Sequence, residues 1–71
     1  MREYISNQVY TLRTERGVTQ EDLAEAVGVS RQTIIAVEKG NYTPSVLLAI
    51  KIAQFFKTPL EKVFKISYDK P

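Results

Sequence analysis

The chain has 71 residues, of which 44% are hydrophobic and 25% charged, and its net charge of +2 fits one folded globular domain spanning 1–71. It has no cysteine and no histidine, which excludes disulfides and removes the commonest metal ligand and general base, so we expect no metal, no cofactor and no enzyme activity. The absence of a secretory signal or a membrane-length apolar run predicts a cytoplasmic protein without a membrane partner.

Capping residues and glycines divide the first half of the chain into helices. Ser6 is the expected cap of a first helix that continues to the residue before Gly17. Thr19 caps a second helix, and Asp22 stands three residues later, close to a capping-box arrangement. Gly28 ends that second helix because glycine takes a positive φ without strain.

Similar signals define the second half. Phe64–Tyr68 alternates apolar and polar side chains, which favours a short strand. We therefore predict an all-α, five-helix domain with its core at about 7–63 and a C-terminal tail at 64–71 that holds this short strand. The third predicted helix runs from Ser30 to about Lys39, and the fourth from Thr43-Pro44 to about Lys57. A short fifth helix begins at the capping box Thr58-Pro59-Leu60-Glu61.

The segment 20–39 predicts a helix-turn-helix, because only about three residues join its two helices. So short a turn brings the helices into contact, which requires a small residue such as Ala24 and a turn residue such as Gly28. These packing positions would serve a helical hairpin without a DNA role equally well. The remaining apolar positions of the seam are Leu23, Val27, Val29, Ile34 and Val37.

The opposite face of the third helix carries the functional prediction. Arg31, Gln32, Ile35 and Ala36 share one stripe with Lys39 and are the predicted base-contacting residues. Arg31 suits a bidentate contact to guanine and Gln32 one to adenine. Ile35 fits either a thymine methyl contact or a partly covered surface position.

Over roughly 7–63 the sequence resembles the phage repressor and Cro-type helix-turn-helix family, in particular its compact bacterial regulators. The resemblance implies a repressor-like fold with the helix-turn-helix at helices 2 and 3, a phosphate contact for Gln20, and an ion pair between Arg13 and Glu38. Two independently solvated side chains are the alternative to that pair. The matching residues are Ser30-Arg31-Gln32-Thr33-Ile34, Glu38, Gly40, Tyr42, Pro44 and Ser45.

Phosphate contacts are expected around the recognition helix. The second helix should point its N-terminus at a phosphate, and the loop 39–43 leads into the next helix. Asn41 has turn formation as its alternative role, and Tyr42 has packing against the third helix. The predicted phosphate-contacting residues are Arg13, Gln20, Ser30, Thr33, Lys39, Asn41, Tyr42 and Thr43.

The fourth helix is apolar on two sides, which indicates burial on two sides. One face (Val46, Ala49, Ala53 and Phe56) is expected to pack into its own domain. The other stripe is covered either by a second copy of the chain or by the first and fifth helices. The tail pairs either across a dimer or with Tyr4-Ile5 of its own chain. The candidate dimer residues are Leu47, Leu48, Ile52, Phe55, Phe64, Ile66 and Tyr68.

The leading hypothesis is a homodimeric, sequence-specific regulator that binds double-stranded DNA at a palindromic operator and acts as a repressor. Its recognition helix, about 30–39, would occupy the major groove, and pairing two subunits would read two half-sites. The alternative is an antitoxin or protein-binding adaptor whose helical domain sequesters a partner protein through the apolar residues of the fourth helix and tail.

Overall fold

The computed structural model describes residues 2–69, so the first residue of the predicted domain and the last two of the predicted tail 64–71 lie outside it. The five predicted helices and the predicted strand at Phe64–Tyr68 are present in this range, but the fold is mostly helical rather than all-α, because a second strand at Glu3–Asn7 pairs with the first in a small sheet. None of the described helices is long and apolar enough to cross a bilayer. The elements are β1 (Glu3–Asn7), α1 (Val9–Glu15), α2 (Gln20–Val27), α3 (Arg31–Glu38), α4 (Val46–Phe55), α5 (Leu60–Val63) and β2 (Phe64–Tyr68).

The two ends of the chain pair with each other. Strand β1 runs antiparallel to β2 with Ile5 opposite Ile66, so the tail pairs with its own chain along this edge. Ser6 therefore does not cap α1, as the sequence suggested; its Oγ lies 2.8 Å from the Oγ of Ser67 in the sheet. Helix α1 begins later, at Val9, whose N–H donates to Asn7 Oδ1 at 3.1 Å.

Local capping explains where α2 and α3 begin. The Asp22 N–H donates to Thr19 Oγ1 at 3.0 Å, and the Thr19 N–H donates back to Asp22 Oδ2 at 3.3 Å. This reciprocal pair confirms the predicted capping box. Ser30 caps α3 as predicted, because its Oγ accepts from the Thr33 N–H at 3.2 Å.

Two further predicted helix starts are wrong, in addition to that of α1. Helix α4 begins at Val46 rather than at the predicted Thr43-Pro44, because Ser45 is its cap and accepts from the Leu48 N–H at 3.1 Å. The expected capping box at Thr58 does not form. The Thr58 hydroxyl instead donates to the carbonyl of Phe56 at 3.0 Å, which closes the end of α4, and α5 has no side-chain cap among the described residues.

The hydrophobic core lies where all five helices meet. Its fully buried members include Val9, Leu23, Ile34, Ile52 and Phe56; Ile52 lies on α4 and Phe56 is the C-cap of that helix. Ala49, Ala53 and Phe56 are buried as predicted, and Leu48 and Ile52 join them on this inward side. Val46, expected inside, is 74% exposed, whereas Leu48 and Ile52, expected at a dimer face, lie in the core of their own chain.

Gly28 sets the turn between α2 and α3 with φ of +77°. No described atom lies within 4 Å of where a Cβ would stand, so a substitution there meets only backbone strain. We expect Gly28→Ala to lower the free energy of unfolding by about 1–2 kcal/mol, and Gly28→Asn to lower it less. Urea unfolding followed by circular dichroism measures both. Equal losses for the two variants would contradict this explanation.

Candidate nucleic-acid interface

The turn 28–30 determines how α3 is presented. The Val29 N–H donates to the Ala24 carbonyl at 3.0 Å, which closes the end of α2. Ala24 is buried, so α3 packs closely against α2. Ile34 and Val37 point into the core without any exposed surface. The opposite face of α3 is therefore turned outward.

The predicted base-contacting residues lie together on this outward face. Arg31 and Gln32 are exposed in the first turn of α3, while Ile35 and Ala36 are half-buried one turn later. Lys39 follows as the exposed C-terminal cap of the helix. The face thus offers two polar side chains that can each make two hydrogen bonds to one base, Arg31 as a double donor and Gln32 as donor and acceptor, beside two apolar side chains, a combination suited to base edges in a major groove.

The loop after α3 borders the same face. Its course is held by hydrogen bonds from the Gly40 N–H to the Val37 carbonyl at 3.1 Å and from the Asn41 N–H to the Ala36 carbonyl at 2.9 Å. Asn41, Tyr42 and Thr43 are exposed, as expected of phosphate-contacting groups. Ser30 and Thr33, also predicted to contact phosphate, lie at the N-terminal end of α3, where their hydroxyls are 3.1 Å apart and contact each other.

The ion pair implied by the family resemblance is present beneath the outward face. Arg13 Nε donates to Glu38 Oε2 at 2.6 Å, and Arg13 Nη2 donates to Glu38 Oε1 at 3.2 Å. The third guanidinium nitrogen, Nη1, donates to the Val18 carbonyl at 2.9 Å. The hydrogen bond to Glu38 raises the pKa of Arg13, against the opposing effect of burial. Because Arg13 is only 9% exposed, its placement argues against the phosphate contact predicted for it.

Gln20, predicted as a phosphate contact, also has two side-chain partners in the protein. Its Nε2 donates to Glu38 Oε1 at 3.1 Å, and its Oε1 accepts from Arg31 Nε at 3.5 Å. Glu21 Oε1 lies 3.8 Å from Arg31 Nη1. This connection between the buried ion pair and Arg31, through Gln20, was not predicted from the sequence. The available signal was that Gln20 and Arg31 are the first residues of two helices that cross in a helix-turn-helix.

These features define a helix-turn-helix protein, and the comparisons identify its family. The helix-turn-helix family model HTH_3 matches residues 9–63. A helix-turn-helix-type transcriptional regulator of Methanocaldococcus jannaschii is 53% identical over 60 residues, covering 84% of this chain and 91% of its own length. The CTXφ transcriptional repressor RstR of Vibrio cholerae is 34% identical over 58 residues, which cover 82% of this chain and 52% of RstR.

A solved structure agrees with this assignment. The restriction-modification controller protein C.AhdI from Aeromonas hydrophila superposes with a TM-score of 0.72 at 29% identity, covering 78% of this chain and 83% of that one. The chain belongs to the Cro/C1-type helix-turn-helix family. It is a transcriptional regulator with a helix-turn-helix DNA-binding domain.

Proposed function

We propose that the protein is a homodimeric repressor that binds a palindromic operator with α3 in the major groove. The observation that carries this proposal is the division of α3 into a fully buried side and an outward side bearing Arg31, Gln32, Ile35 and Ala36. Arg31 would contact guanine O6 and N7, Gln32 adenine N6 and N7, and Ile35 a thymine methyl group.

Phosphate contacts would surround this reading helix. Lys39 and the loop residues Asn41, Tyr42 and Thr43 are exposed directly beyond its C-terminus. A lysine supplies charge, while amide and hydroxyl groups supply hydrogen bonds to phosphate oxygens. Such contacts position the protein on the duplex without reading sequence, so they should affect all DNA sequences similarly.

An exposed apolar groove supports the homodimer. Ile5, Pro44, Val46, Leu60 and Phe64 line it, and we call it the α4 groove. The groove begins directly after the loop expected to contact phosphate. A two-fold axis through the groove would pair two subunits, as reading two half-sites about 34 Å apart requires. Leu48 and Ile52 are buried in their own chain and are therefore not part of the proposed interface. The other predicted dimer residues that are exposed but lie outside the groove are Leu47, Phe55, Ile66 and Tyr68.

The repressor role has separate support. RstR, which is 34% identical, is named a transcriptional repressor. A dimer bound over a promoter blocks transcription by occupying the DNA, so this mode of repression requires only DNA binding.

Site selection from random duplex DNA tests the proposed function. We expect a palindromic site whose binding constant falls steeply with salt. Arg31→Ala should relax base preference at one position of each half-site, at a cost of about 1–3 kcal/mol. Lys39→Ala should weaken all sequences alike and reduce the salt slope by about one.

The exposed Lys62 on α5 provides the control. Lys62→Ala removes the same charge as Lys39→Ala but lies outside the proposed contact surface, so the salt slope should change less. Recovery of no enriched sequence would overturn the proposal. Identical effects of R31A and K39A on base preference would overturn only the assignment of Arg31 to base reading and of Lys39 to phosphate contact.

A further inference from the structure

We infer that Gln20 is a positioning residue that holds Arg31 in the orientation needed to read guanine, and that Glu38 determines which way the Gln20 amide faces. This inference rests on the proposed function and assigns a specificity role within the same surface. Its basis is a continuous series of hydrogen bonds, Arg13–Glu38–Gln20–Arg31, which we call the polar chain.

The first step is the orientation of Glu38. Its side chain is 6% exposed, and Oε2 accepts from Arg13 Nε. Oε1 accepts from both Arg13 Nη2 and Gln20 Nε2, at 3.2 and 3.1 Å. Arg13 is itself held by the Val18 carbonyl, so the carboxylate has a fixed neighbour on its other side. An ion pair anchored in this way has little freedom to rotate.

The second step concerns the direction of the Gln20 amide. An ionised carboxylate only accepts hydrogen bonds, so Gln20 must turn its NH2 group toward Glu38. Its carbonyl oxygen then faces the opposite direction, where Arg31 Nε donates at 3.5 Å. Turning the amide over would place oxygen against oxygen at Glu38 and a donor against a donor at Arg31. The buried pair therefore specifies a hydrogen-bond acceptor next to Arg31.

The third step is the consequence for base reading. A guanidinium held at Nε keeps its two terminal nitrogens, Nη1 and Nη2, for a ligand. Guanine presents two acceptors, O6 and N7, whereas adenine presents one acceptor and one donor at the corresponding positions. Arg31 fixed in this orientation thus favours guanine. Holding the side chain before binding also reduces the rotamer entropy lost on the DNA.

Glu21 is the only described acidic side chain within 4 Å of the Arg31 guanidinium. Both side chains are well exposed, at 56% for Arg31 and 75% for Glu21, and such an exposed ion pair contributes little to stability. Guanine can displace it from Nη1 without disturbing Nε. Glu21→Gln is therefore expected to tighten binding to all sequences by removing a negative charge near the phosphates, with base preference unchanged.

The test uses Gln20→Met, which keeps the length of the side chain and deletes both hydrogen bonds. Affinities are measured for the selected operator and for operators with each other base at the position relaxed by R31A. We expect Q20M to reduce the preference for guanine there by about 3- to 10-fold, the size of one lost hydrogen bond. In the R31A background Q20M should leave base preference unchanged. Q20A should reproduce both results.

Gln54→Met is the matched control, since Gln54 is an exposed glutamine on α4. It should alter neither affinity nor preference. A Gln20 that only contacts phosphate would weaken every sequence equally in both backgrounds, and that outcome would overturn the inference while leaving the proposed function intact. If R31A binds the operator without losing any base preference, Arg31 does not read a base, and the inference is overturned as well. Failure to find any operator would instead be the failure of the proposed function.

Discussion

Glu38→Ala is expected to lower the free energy of unfolding by about 3 kcal/mol, at the lower end for a broken buried ion pair. The variant leaves the Arg13 guanidinium, in a residue only 9% exposed, without its carboxylate; the Val18 carbonyl remains as its hydrogen-bond acceptor, beside the Tyr10 ring 5.4 Å away. A chain of this length has a total stability of roughly 4–11 kcal/mol. The loss is therefore a large fraction of the whole, and urea unfolding followed by circular dichroism measures it.

Two controls separate charge burial from side-chain loss. Glu25→Ala removes an exposed glutamate on α2, outside the α4 groove, and should change stability by less than about 0.5 kcal/mol. The double variant R13M/E38L removes both charges, so it should recover most of the loss caused by E38A. If E38A and E25A behave alike, the ion pair contributes nothing to stability.

The pH dependence of this interaction follows from the direction of the Arg13 pKa. The pKa is raised in the folded chain, chiefly by the hydrogen bond to Glu38. A raised pKa means that the stabilisation is fully present below the ordinary arginine value and is lost only as pH rises through the folded value. Arg13 should therefore add no pH dependence to stability near neutrality.

Val46→Glu is expected to dissociate the proposed homodimer and to weaken operator binding by about 100-fold or more, because two linked half-site contacts become separate binding events. Val46 is 74% exposed in the α4 groove, and two glutamates facing each other across a two-fold axis would repel. An acidic residue in the first turn also suits the N-terminus of α4, so the fold should persist. Analytical ultracentrifugation and operator titration measure the two effects.

Leu47→Glu is the matched comparison. Leu47 is 65% exposed and adjacent in sequence, but it does not line the α4 groove. It should leave the dimer intact. Binding to an isolated half-site should be similar for both variants, which controls for repulsion between the new carboxylate and phosphate. Dissociation by L47E and not by V46E would favour the stripe predicted from sequence over the groove.

The helix-turn-helix was predictable because its signals are local. Thr19 and Asp22 cap each other across one turn, and Gly28 takes the conformation that the α2–α3 turn requires. The periodicity of α3 then places Ile34 and Gln32 on nearly opposite sides of the helix, so the outward face follows from sequence alone. Family resemblance added the Arg13–Glu38 pair, which links residues 25 positions apart and has no local signal.

Other features depend on contacts between distant segments of the chain and are visible only in the folded protein. Ser6 has the residue type of a helix cap, but pairing with β2, about 60 positions along the chain, makes it part of a strand. Helix α4 is apolar on more than one side, so its sequence permits several orientations, and packing against the other helices chose the one that buries Ile52 and exposes Val46. The hydrogen bond from Gln20 to Glu38 likewise exists only because α2 and α3 cross.

Local sequence thus determined the helix-turn-helix and its outward stripe, because capping and turn preferences act over a few residues. The sheet, the exposed side of α4 and the polar chain required the folded protein, because each depends on contacts between residues far apart in the sequence.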